Sequence, residues 1–153
     1  MAGLKPMTET VLALNAGSSA VKYALYRMTD GSEREVSSAT IPTKSAPPAA
    51  ILEQVLREVE RFGFGEPTLV GHRVVHGGTA FTSPVKLDTS VLGRLKQLVP
   101  LAPLHLPPAI DLMAHALERC AGATHLACFD TAFHRTLPEV ARRFSLPDGL
   151  YEA

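Results

Sequence analysis

Apolar and polar positions are most sharply ordered in residues 11–26, VLALNAGSSAVKYALY. Val11, Leu12, Ala13 and Leu14 form a continuous apolar run, as expected of a buried strand. After a polar knot, alternation puts Val21, Tyr23 and Leu25 on one side and Lys22, Ala24 and Tyr26 on the other. That period of two predicts a second strand. The knot between them, Asn15-Ala16-Gly17-Ser18-Ser19, is a turn in which Gly17 permits positive φ or a close backbone approach. Successive N–H groups and hydroxyls in such a turn can cradle an anion, and Lys22 adds a positive charge. An ordinary hairpin with small turn residues is the plain alternative.

Further on, Asp30-Gly31-Ser32 reads as a turn and residues 36–41 as a polar third strand. Residues 42–50 form a Pro/Ala/Ser connector, with Pro47 and Pro48 suited to a first helical turn. Ile51, Leu52, Val55, Leu56, Val59 and Phe62 recur at helical spacing, and Gly63 can cap that helix. Residues 68–75 predict a strand with His72, Val74 and His76 on one face and Arg73 and Val75 on the other. A loop or small hairpin at 79–87, a short helix at 90–98 and a proline-rich turn at 101–108 follow. A helix then runs to about residue 121, with Ile110, Met113, Ala114, Leu117 and Cys120 inward and Gly122 as its stop. Residues 125–129 predict an apolar strand ending at Asp130. Residues 131–135 read as a turn and 137–144 as a short helix. Strands first, then strands alternating with helices, predict a mixed α/β sheet.

Composition narrows the function classes. At 153 residues and 46% hydrophobic, the chain suits one globular domain with a real core, after a loose extension at residues 1–10. Fifteen basic residues balance fifteen acidic ones. No broad basic field favours nucleic acid or an anionic membrane. Residues 1–10 lack the apolar core of a signal peptide. The apolar stretch at 98–110 is too short and too broken by prolines to span a bilayer. Cys120 and Cys128 lie in apolar stretches and are expected as buried free thiols in a reducing, cytoplasmic setting.

Four polar positions fall at strand ends or in loops: the Asn15–Lys22 turn, Arg73, His105 and Asp130. Ligands of open α/β sheets bind at the carboxyl ends of strands. A guanidinium can hold a carboxylate or phosphate through two parallel hydrogen bonds. Val75, on the same predicted face as Arg73, would add a small apolar wall, which suits a short anion with an alkyl tail. A structural ion pair is the alternative for Arg73. Asp130 could bind magnesium, orient a cation or cap the turn after it. The six histidines do not fall at zinc-site spacing. The segment Ala16-Gly17-Ser18-Ser19-Ala20 lacks the second glycine and following helix of a hydrolase elbow.

Several motifs in this order resemble the N-terminal part of the acetate kinases: NAGSSAVKYALY at 15–26, GHRVVHGG at 71–78, FTSPVKLD at 81–88, LAPLH at 101–105 and FDTAFHRTLPEVARRFSLP at 129–147. The resemblance implies one ribonuclease H-like (actin-like ATPase) α/β domain over residues 11–153, a mixed sheet with flanking helices. It implies ATP- and Mg²⁺-dependent, reversible conversion of acetate to acetyl phosphate by direct in-line transfer. By the same resemblance, Asn15 helps hold magnesium, and Lys22 with Gly17 and Ser18 addresses the nucleotide phosphates. Arg73 binds the acetate carboxylate, with Val75 and Leu104 around its methyl group. His105 lies at the transfer site, and Asp130 matches the family's active-site aspartate. Acetate is already ionised at neutral pH, so we expect Asp130 to organise magnesium or an arginine rather than serve as a base.

The sequence departs from the family pattern in three places. Ala20 stands where a third serine is usual, Leu106 follows His105 where asparagine is usual, and the chain is less than half the family length. A C-terminal kinase domain would carry the adenosine pocket, further catalytic groups, most of the homodimer interface and a terminal helix that packs back onto this domain. This chain alone is therefore expected to lack useful turnover. A folded, self-associating domain without catalysis and a propionate or butyrate kinase are the alternative readings.

Overall fold

The computed structural model describes residues 8–133, 136–142 and 147. It opens with an antiparallel meander of β1 (Thr8–Ala16), β2 (Ala20–Thr29) and β3 (Ser32–Pro42). The two-residue loop between β2 and β3 has Asp30 at φ 49° and Gly31 at φ 78°, the pair of positive angles that matches the twist of a tight hairpin. Helix α1 (Pro48–Arg61) carries the chain over to β4 (Leu69–Val74), which pairs parallel to β1. A short strand, β5 (Val85–Lys86), precedes α2 (Thr89–Gln97), a 3-10 turn at Val99–Leu101 and α3 (Leu106–Arg119). Strand β6 (Thr124–Phe129) then lies parallel to β4 and antiparallel to β5. Two single-turn helices follow, α4 (Asp130–Phe133) and α5 (Glu139–Arg142). The sheet order is β3-β2-β1-β4-β6-β5.

The core lies on one face of this sheet. Leu12, Leu14, Val21, Tyr23 and Val70 pack against Ile51, Leu52 and Val55 of α1 and Leu112 and Ala116 of α3. A second cluster joins Val74, Ala127 and Phe129 to α2 and α3 through Val91, Leu95, Ile110 and Met113. The other face is bare along its centre, where Ala13, Ala24 and Gly71 form the floor of a hollow bordered by Lys22, Arg73 and Cys128. The inward and outward sets of β2 are the ones its alternation predicts, with Val21, Tyr23 and Leu25 buried and Lys22 exposed.

Several expectations are corrected. Residues 8–10 belong to β1 and not to a loose extension. Strand β3 begins at Ser32, because its hairpin pairs it with β2 from Thr29 onward despite its polarity. Of the loop or small hairpin expected at 79–87 the structure has the loop, and β5 at its end pairs across with β6. Helix α3 starts before Pro107 and Pro108, since proline in a first turn forfeits no hydrogen bond. Residues 130–133 are helical rather than a turn, and residues 134–135, like 143–144 of the expected last helix, lie outside the described residues. Phe62 is 43% exposed, beyond the end of the apolar stripe of α1. Cys120 is buried, but Cys128 is exposed, because no helix among the described residues covers its strand face. No helix among the described residues is long and apolar enough to cross a membrane.

Candidate active site

Parallel pairing of β1, β4 and β6 brings three carboxyl ends to one edge of the sheet. Asn15 lies at the end of β1, Arg73 at the end of β4, and Asp130 directly after β6. A cleft of about 200 Å³ opens there, lined by Asn15, Ala16, Gly17, Arg73, Val75, His105 and Ala109. Its far wall is the start of α3, where His105 is the exposed N-cap residue and Ala109 is buried in the first turns.

Arg73 and Asp130 are held together by two parallel hydrogen bonds. Nε donates to Asp130 Oδ1 at 2.9 Å and Nη2 to Oδ2 at 2.7 Å. This fork-to-fork geometry fixes the guanidinium plane. The hydrogen bond to Asp130 holds Arg73 more firmly in its charged form than usual, despite some desolvation. The pair remains open to solvent, with side-chain exposures of 56% and 29%. A guanidinium has N–H donors on a third nitrogen as well, so Arg73 keeps an edge for an anion while Asp130 holds the other.

The loops around this pair are tied down locally. Gly77 N–H donates to Thr131 Oγ1 at 3.1 Å, and Gly78 N–H donates to His76 Nδ1 at 2.9 Å. A side chain at Gly77 would place its Cβ 2.7 Å from the Phe81 carbonyl oxygen, so only glycine fits. In the first turn, Gly17 N–H donates to Ala20 O at 2.9 Å. The Ser18 and Ser19 carbonyls are occupied by Thr43, through its hydroxyl at 3.2 Å and its N–H at 2.9 Å. The acceptors of that turn are thus engaged away from any incoming anion.

Asn15, Gly17, Arg73, Val75 and His105 therefore share one cleft, and Asp130 joins it through Arg73. Lys22 is the ladder partner of Asn15 and lines the adjoining hollow on the bare sheet face. Ser18 is exposed in the turn. Leu104 is 72% exposed and does not line the cleft; Ala109 stands beside Val75 there instead. Sequence reasoning passed over Thr131, although it follows Asp130 in the quoted motif, and over Ala109, whose place depends on the helix starting at Leu106. Among the described residues there is no cluster of three or more His, Cys, Asp or Glu able to hold a metal by itself.

A β3-β2-β1-β4-β6 sheet whose parallel strand ends meet at a cleft lined by Asn15, Arg73 and His105 defines a ribonuclease H-like α/β domain of the actin-like ATPase kind. The chain belongs to the acetokinase family, whose sequence profile matches residues 30–153. It is 37% identical over 163 aligned residues to the acetate kinase of Deinococcus radiodurans, covering 92% of this chain and 40% of that protein. The crystal structure of Porphyromonas gingivalis acetate kinase superposes with a TM-score of 0.70 at 28% identity, over 94% of this chain and 43% of that one. A propionate kinase from Francisella tularensis superposes with a TM-score of 0.68 at 25% identity, over 93% of this chain and 42% of its own. The chain thus spans about 40% of the length of the curated relatives it matches.

Proposed function

We propose that this chain forms the acetate-binding half of an acetate kinase, a cytoplasmic enzyme that transfers a phosphoryl group reversibly between ATP and acetate with Mg²⁺. The observation that carries the reading is Arg73, oriented by Asp130 at the mouth of a cleft that also contains Val75. A short carboxylate would take the unoccupied edge of the guanidinium and lay its methyl group toward Val75 and Ala109. Its oxygen is ionised at neutral pH and needs no base to attack phosphorus. The role left for Asp130 is to aim Arg73 and to balance its charge.

Phosphoryl transfer depends on positioning and on neutralising charge spread over the phosphoryl oxygens. Gly17 and Ser18 in the first turn, with Lys22, would address the phosphates, and His105 would approach the transferred group from α3. Asn15 lines the cleft, and its amide oxygen would be the donor to a metal there. Magnesium keeps several waters and needs few protein ligands, so one such donor suits a phosphate-bound ion, which would neutralise phosphate charge when present. Asp130 has both oxygens on Arg73, which favours its role as an arginine organiser. A C-terminal kinase domain would supply the nucleotide pocket and the opposing wall, and with it the homodimer contacts.

Each clamp on the transferring group contributes on the order of 3–4 kcal/mol of barrier lowering. The chain alone is therefore expected to lack useful turnover. Acetyl phosphate can be trapped as the hydroxamate from ATP, Mg²⁺ and acetate, first with this chain and then after adding the separately expressed C-terminal part of a relative. Activity only in the mixture supports the proposal. Turnover by the chain alone near that of a full-length relative, or an inactive mixture of two folded halves, would overturn it. The propionate kinase likeness supports propionate as a second substrate, since one methylene changes binding by only about 1–3 kcal/mol. Light scattering over a dilution series addresses the non-catalytic alternative of self-association through the bare sheet face.

A further inference from the structure

His72 and His125 lie on adjacent parallel strands, and both point into the helix-covered face, each 2% exposed. His72 Nε2 is 3.2 Å from His125 Nδ1, and the rings stack with centroids 5.5 Å apart at 14°. His125 Nε2 is 3.1 Å from the carbonyl oxygen of Cys120, the residue that ends α3. A carbonyl only accepts, so His125 carries its proton on Nε2. Its Nδ1 is then an acceptor, and His72 Nε2 must donate to it. One directional chain of hydrogen bonds runs from β4 through β6 to the C-terminus of α3.

Nothing buried compensates a charge on this pair. Thr10 is the other buried polar side chain among the described residues, and no carboxylate is buried there. On the same face of the sheet, where Leu14 is the ladder partner of His72, the apolar cluster is built from Ile51, Leu52 and Val55 of α1, Leu12 and Leu14 of β1, and Leu112 and Ala116 of α3. The titratable side chains in the same cluster are Tyr23 of β2 and the Cys120 thiol, which burial pushes up and keeps neutral. The charged groups acting on Cys120 are Glu66, Arg119 and Glu53, with Arg119 and Glu53 bound to each other at the surface. His115 of α3 is half-buried outside the pair.

We propose that the His72–His125 pair is an acid-sensitive latch. In its neutral form it ties the end of α3 to β4 and β6. On taking up a proton it releases that helix end and loosens the strand that carries Arg73. Burial, and then the neighbouring His125, push His72 from 6.5 down to about 3. The folded chain thus resists protonation over a range in which the unfolded chain accepts it. Stability from this site is complete above about pH 6.5 and is lost as pH falls toward 3, with the folding constant dropping up to about tenfold per pH unit.

Urea unfolding of the whole chain between pH 7.5 and 4.5 tests this, comparing the wild type with His72→Gln and with His115→Gln as a control. The amide of His72→Gln can still donate to His125 but does not titrate. Its folding constant is expected to lose at least about tenfold less than that of the wild type or the control between pH 6.5 and 5. Should His72→Gln not fold, ring-nitrogen NMR on the unaltered chain decides: the His72 ring is expected neutral with its proton on Nε2 at pH 5. Amide exchange is expected to accelerate first at residues 118–126 and 72–74 on acidification. A native His72 that titrates near 6.5, a pH dependence unchanged in His72→Gln, or acid opening that begins elsewhere overturns the proposal.

Discussion

Two polar pairs bridge the strands β4 and β6 from neighbouring positions, and they differ in almost everything else. His72 and Arg73 are adjacent, so the pleat sends them to opposite faces of the sheet. His72 meets His125 under the helices, with each ring 2% exposed. Arg73 meets Asp130 at the open end of the bare face, with 56% and 29% of their side chains exposed. Inside, a pair with no net charge is the form that survives burial, because an ion without a partner there is expensive. Outside, opposite charges keep enough water to remain ionised and enough geometry to aim a guanidinium. The covered face holds the fold together, and the bare face and its edge carry the cleft at which phosphoryl transfer is proposed.

The contrast can be broken first on the covered face. Leu112→Ala, at the contact between α3 and the sheet, is expected to lower stability by about 2–5 kcal/mol, read as a shift in the urea midpoint. On the bare side, Arg73→Ala should lower turnover of the reconstituted two-part enzyme by about 10²–10³-fold. Its effect on unfolding should stay within about 0–1 kcal/mol, the range of exposed ion pairs. A large loss of stability in Arg73→Ala would merge the two regions into one. Acidification sharpens the contrast with a slope of up to about 1.4 kcal/mol per pH unit. Because the His72 pKa is depressed in the folded state, that loss sets in below about pH 6.5 and runs toward 3. The smallest effect is expected for Asp130→Asn, about 0–1 kcal/mol in stability. Freeing Arg73 should raise the KM for acetate and leave the shape of the pH–rate profile unchanged.

Much of this was legible in the sequence, and particular residues show why the rest was not. Alternation assigned Val21, Tyr23 and Leu25 inward and Lys22 outward, and it placed His72 and Arg73 on opposite faces. The strand from 125 to 129 alternated too, so His125 could have been read as inward with Ala127 and Phe129. Its meeting with His72, 53 positions away, required the β4–β6 register. Cys128 looked buried by its apolar neighbours, yet which face of a strand lacks a helix is decided by the crossovers. The short β5 was not singled out within the loop or small hairpin expected at 79–87, because its partner, β6, lies some forty residues later. Leu104 was expected at the cleft from the family resemblance, but helix α3 begins two residues later and brings Ala109 to the wall instead.

By itself the sequence determined the periods of its strands and helices, a turn between β1 and β2 (though β1 runs on through Asn15 and Ala16), the family motifs and Arg73, His105 and Asp130 as candidate groups. These are local properties, set by backbone sterics and by side-chain type. Only the tertiary structure decided that Arg73 is aimed by Asp130 and that two histidines share a buried hydrogen-bond chain. Both depend on the parallel register of β4 and β6, which is fixed by how α1, α2 and α3 pack their apolar faces onto one side of the sheet and leave the other side open.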